Sequence, residues 1–65
     1  MQLHVNAQPL ETQAQTLAEL LQELQIAPPG IAVAVNESVV RRAHHTEFAL
    51  NPGDKIEIIR AVQGG

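Results

Sequence analysis

The sequence closes on Gly64 and Gly65, and the carboxylate of Gly65 is the group in the chain best suited to chemistry. A terminal carboxylate has a typical pKa of about 3.3–3.7 and is ionised near neutrality. In that form it can attack the α-phosphorus of ATP and become an acyl adenylate. The activated carbonyl can then accept sulfur and become a thiocarboxylate. Glycines have no Cβ, so an extended Gly-Gly segment can thread a narrow enzyme channel. The plain alternative is a frayed end, because terminal residues are often poorly ordered. Ordering each tail residue in a partner would cost ~1–2 kcal/mol, which the partner's own groups must offset.

The remaining residue types offer little. There is no cysteine, which removes disulfides, thiol nucleophiles and thiolate metal sites. Ser38 is the one serine; it lies in a turn with no glycine-rich elbow and no marked base. Glu19 and Glu23 stand four apart on the solvent side of an expected helix, which suits a solvated surface better than an acid/base pair. His44 and His45 are adjacent; in an extended chain they would point to opposite sides, so one cation could not readily use both. His4 stands alone, and no third ligand at fixed spacing completes a metal set. We expect no metal and no bound cofactor.

The bulk properties narrow the partners. A chain of 65 residues is one domain with a modest core and little room for a deep cleft. Phe48 is the only aromatic residue, so the core must be aliphatic. The net charge of −3 repels phosphate backbones, and the one basic cluster, Arg41 and Arg42, has no aromatic interleaved, so nucleic acid is not expected as a partner. No signal-like or membrane-spanning run is evident, which points to the cytoplasm.

The elements that must carry the tail follow from periodicity. Residues 1–6 alternate, with Leu3 and Val5 on one side, and read as a half-buried strand. Ala7 and Gln8 read as a turn, and residues 9–12 as a second, shorter strand with Leu10 inward. Thr16 to Glu19 is a capping box, and Leu17, Leu20, Leu21 and Leu24 recur at helical spacing, which predicts an amphipathic helix of about three turns. Pro28, Pro29 and Gly30 bar its continuation. Ile31–Val35 is an apolar, β-branched run expected to be covered at least in part on both faces; a turn at Asn36, Glu37 and Ser38 leads into a return strand at Val39 and Val40. Residues 41–47 are polar and carry no clear signal, with Phe48 and Leu50 as anchors after them. Asn51, Pro52, Gly53 and Asp54 have strong turn chemistry. Residues 55–62 form the last strand, ahead of a Gln63, Gly64, Gly65 tail.

The order of hairpin, helix, strand, short strand, strand predicts an α+β fold of the ubiquitin-like β-grasp type. In that arrangement a mixed sheet of four to five strands carries one main helix on one face, and the first and last strands lie parallel at its centre. The domain is expected to span 1–62 and the tail 63–65. The sheet face away from the helix should present Ile59, opposite Ile56 and Ile58, as a docking residue, together with Ala61. Val62, Gln63 and Gly64 would then guide the tail into a partner's active site.

The residues IAVAVN at 31–36, VVRR at 39–42, GDKIEI at 53–58 and AVQGG at 61–65, taken as a set, resemble the sulfur carriers of thiamine thiazole biosynthesis, the ThiS family. The resemblance covers nearly the whole chain. It implies a protein cosubstrate rather than an enzyme, with Gly65 adenylated by an ATP-using, ThiF-like adenylyltransferase and then converted to a thiocarboxylate. Sulfur would come from a donor such as a cysteine desulfurase relay and pass to a ThiG-like thiazole synthase. The chain departs from the family pattern at Arg41, where many relatives have proline, and at His44 and His45, where many have an aromatic residue. The small subunit of molybdopterin synthase is a sibling alternative. It tends to have a longer chain and a proline pair before its Gly-Gly, where this chain has Arg60, Ala61 and Val62. A ubiquitin-like interaction module with an idle tail is the other.

Overall fold

The computed structural model describes residues 1–27 and 30–60. Two strands, β1 (Gln2–Val5) and β2 (Gln8–Glu11), precede helix α1 (Leu17–Glu23). Strands β3 (Ile31–Val35) and β4 (Ser38–Val40), a 3-10 turn (Arg42–His44) and strand β5 (Lys55–Arg60) follow. The five strands form one sheet in the order β2-β1-β5-β3-β4. β1 and β5 run parallel at its centre, and the other neighbours are antiparallel. This is the β-grasp order expected from the sequence.

Each hairpin closes through a two-residue turn whose central residues both have positive φ: Asn6 (50°) and Ala7 (67°), then Asn36 (52°) and Glu37 (72°). Such turns match the right-handed twist of the strands they join. The pairing of Val5 with Gln8 draws Gln8 into β2, and that of Val35 with Ser38 draws Ser38 into β4. The first turn therefore falls one residue earlier than the sequence suggested, and the second is one residue tighter.

The helix is shorter than the three turns expected, at seven residues. Gln25 has φ 60°, its N–H donates to the Gln22 carbonyl at 3.0 Å, and the Ile26 N–H donates to the Leu21 carbonyl at 2.9 Å. That pair of bonds is a Schellman stop. It turns Ile26 back onto the core and ends the helix before the prolines are reached. The N-terminus is fully serviced: Leu17 N–H donates to Phe48 O, Ala18 N–H to His45 O, each at 3.0 Å, and Glu19 N–H to Thr16 Oγ1 at 3.2 Å. Glu19 Oε1 reaches back to the Gln15 N–H at 2.8 Å, completing the capping box one residue outside the cap. The polar stretch 41–47, opaque in sequence, thus supplies one carbonyl acceptor to the helix, that of His45, and Phe48 just after it supplies another.

Leu17, Leu20 and Leu21 meet Leu3, Val33, Val35, Val40 and Ile56 in an aliphatic core closed by Ala14 and Leu50, with Phe48 half-buried against it. Burying each large side chain contributes roughly 1.5–3 kcal/mol. β3 is less covered than its apolar run implied: Val33 and Val35 are buried, Ala34 is half-buried, and Ala32 is exposed. Alanine satisfies the strand pattern on the open face without demanding a second layer.

Candidate functional site

The site is built on β5. Pro52 and Gly53 (φ 86°) turn the chain into it, with the Asp54 N–H donating to the Asn51 carbonyl at 3.1 Å. The buried Asp54 carboxylate fixes the turn: Oδ2 accepts from the Asn51 N–H at 2.8 Å and Oδ1 from Asn36 Nδ2 at 3.0 Å. From there β5 runs between β1 and β3 to Arg60, paired with Ile31 at the end of the ladder.

Alternation along β5 divides its side chains. Ile56 is buried and Ile58 half-buried on the helix side, while Ile59 stands on the opposite face, 62% exposed. That is the face the sequence assigned to Ile59. Beside it on β3 lies Ala32, and two residues along the same face Ala34 pairs with Val39 of β4, which is 74% exposed. The two alanines leave Ile59 and Val39 standing above the sheet, so the open face has an apolar surface that begins one residue before the end of β5. The sequence reading missed Val39. Its signal was the buried Val40 beside it, since neighbours in a strand face opposite ways. Ala61, Val62, Gln63, Gly64 and Gly65, the other residues assigned to docking, threading and modification, lie outside the described residues.

The remaining candidates are dispersed. Glu23 Oε1 accepts from the buried Thr12 hydroxyl at 2.6 Å, tying β2 to the helix, and Glu19 serves the helix cap. Ser38 is exposed at the start of β4. His4 and His44 are exposed, and His44 Nδ1 lies 3.9 Å from Glu47 Oε1. His44 and His45 lie at the 3-10 turn rather than in extended chain, and His45 is buried, at 4% exposure. Its Nε2 is 3.1 Å from the Val40 carbonyl. A carbonyl only accepts, so the proton sits on Nε2. Among the described residues, no group of three His, Cys, Asp or Glu side chains could hold a metal ion, and no helix is long and apolar enough to cross a membrane.

The sequence model of the ThiS family matches residues 3–65. The chain belongs to the ThiS family. The sulfur carrier protein ThiS of Escherichia coli is 33% identical over the full length of both chains. That of Thermus thermophilus is 31% identical over 94% of this chain and 95% of its own. A thiazole synthase of Magnetococcus marinus is 36% identical across the whole of this chain, which spans 20% of that protein's length. Among solved structures, the ThiS thiamine biosynthesis protein of Geobacter metallireducens superposes with a TM-score of 0.85 at 28% identity, with both chains fully covered. The ThiS fold is therefore shared in full, from the N-terminal hairpin to β5.

Proposed function

We propose that this ThiS-family chain is a sulfur carrier of thiamine biosynthesis whose working group is the Gly65 carboxylate. The observation that carries the proposal is the match to the ThiS family through residue 65, on a fold whose central strand leads directly towards that residue. The carboxylate attacks the α-phosphorus of ATP held by a ThiF-like adenylyltransferase, releasing pyrophosphate and leaving an acyl adenylate. The outer sulfur of a persulfide, from a donor such as a cysteine desulfurase relay, then displaces AMP to give an acyl disulfide, and a thiol reductant cleaves its S–S bond to leave the terminal thiocarboxylate. A ThiG-like thiazole synthase takes the sulfur from it. Support for that last partner comes from the Magnetococcus thiazole synthase, in which a segment similar to this whole chain is part of the protein itself. The chain acts as a cosubstrate: the enzymes supply the nucleotide site and the sulfur, and the carrier supplies the carboxylate, the tail and the docking face around Ile59.

The test is the intact mass after incubation with ATP, the activating enzyme and a sulfur source. The expected result is replacement of one terminal oxygen by sulfur, localised to Gly65, and no such change in a variant carrying one extra residue after Gly65. An unchanged mass, with an enzyme proven on another carrier, would overturn the proposal.

A further inference from the structure

The two hairpin turns grip the central strand from its two edges, each through the backbone and side chain of an asparagine. At the start of β5, the Asn36 N–H donates to the Lys55 carbonyl at 2.7 Å and its Oδ1 accepts from the Lys55 N–H at 3.0 Å. From the other edge, the Asn6 N–H donates to the carbonyl of the next residue, Ile56, at 2.8 Å. The Asn6 side chain then reaches further: Oδ1 accepts from the Ile58 N–H at 2.8 Å, and Nδ2 donates to the Ile58 carbonyl at 3.4 Å. β1 stops at Val5, opposite Ile56. The amide of Asn6 therefore does for Ile58 what one more residue of β1 would have done. A backbone residue there would have prevented the turn; a side-chain amide at positive φ permits both.

We infer that Asn6 is a positioning residue for the tail: by holding both backbone groups of Ile58, it secures, across from the β3 ladder, the strand that the tail continues. The inference rests on the carrier reading above. A carboxylate must come within attack distance of a phosphorus atom in a partner, and small errors in aim are expensive in rate. Beyond Ile58 the β3 ladder holds the other edge of β5 as far as Arg60; a strand gripped on that edge alone would present the tail along the partner's channel in only part of the population. The apparent affinity would fall by that fraction, while turnover of correctly docked carrier would not change.

A role confined to the turn predicts something different, and glycine separates the two. Glycine adopts positive φ more readily than asparagine, so Asn6→Gly keeps the turn and removes only the amide. Asn36→Gly keeps the other turn and removes the amide at the start of β5, together with its bond to the buried Asp54 carboxylate. The measurement is pyrophosphate exchange into ATP by the activating enzyme as a function of carrier concentration. For Asn6→Gly the expected result is a KM raised on the order of ten-fold with kcat unchanged. Asn6→Asp, whose carboxylate still accepts from the Ile58 N–H, should recover most of the loss. Asn36→Gly should keep the wild-type KM while its Tm falls at least as far as that of Asn6→Gly. A wild-type KM for Asn6→Gly, or an equal rise for Asn36→Gly, would overturn the inference. No exchange with the wild-type chain, using an enzyme active on another carrier, would instead overturn the carrier reading beneath it.

Discussion

At the scale of single residues, His45 shows how far a side chain's role can depart from its type. A histidine in a polar stretch of sequence reads as surface. Here the ring is buried, Nε2 holds the Val40 carbonyl, and Nδ1 has no hydrogen-bond partner among the described residues. The main-chain carbonyl of the same residue accepts from Ala18 in the first turn of α1. His45 thus joins the end of β4 to the start of the helix. His45→Ala should cost about 2–4 kcal/mol in urea unfolding, from lost packing and an orphaned carbonyl. His45→Phe, which restores the ring volume and lacks the donor, should cost only about 1 kcal/mol. Equal losses for the two would show that the hydrogen bond, and not the ring, is what matters. Ile59 was legible beforehand because strand alternation is a local rule. His45 was not, because its burial depends on which carbonyl lies above it, and that is decided by the whole fold.

At the scale of elements, the helix start was readable and its stop was not. Thr16 and Glu19 form a capping box whose spacing specifies its bonds; the Thr16 bond is present as specified, and Glu19 reaches back one residue further, to the Gln15 N–H. The stop lies at Gln25, a residue type with no αL signature, held there by two Schellman bonds and by the burial of Ile26. Packing overrode local preference: extending the helix to the prolines would have carried Ile26 away from the core. The cost is a non-glycine residue in the left-handed region, roughly 1–2 kcal/mol. Gln25→Gly should therefore stabilise the domain by about 0.5–1 kcal/mol, after allowing for the freer unfolded chain. In a domain of this size that is a rise in Tm of roughly 3–6 °C by calorimetry. A lower Tm would mean that the Gln25 side chain contributes more than its backbone costs. The strands were read more closely than the helix, because a period of two tolerates little ambiguity once turns bound it; only the turn positions moved, each drawn in by cross-strand pairing.

At the scale of the whole molecule, one face of the sheet is spent on the helix and the other is left open. Ile59→Asp should leave the far-UV spectrum and Tm close to wild type, because the side chain is already 62% exposed, and should weaken binding to the activating enzyme at least ~10-fold. Val39→Asp should act in the same direction. Full binding by both variants would place the docking surface elsewhere. The sheet order has a consequence for how such a protein is made. Among the described strands, β5 is what joins the β1–β2 hairpin to the β3–β4 hairpin. A nascent chain that has emerged only as far as residue 54 owns two hairpins and a helix but no continuous sheet. The strand that completes the assembly is also the one that leads to the tail, and its partner β1 is the earliest of the five strands in the chain. Synthesis itself then acts as an inspection step: an unfinished or misassembled chain lacks the continuous sheet face on which Ile59 and Val39 stand.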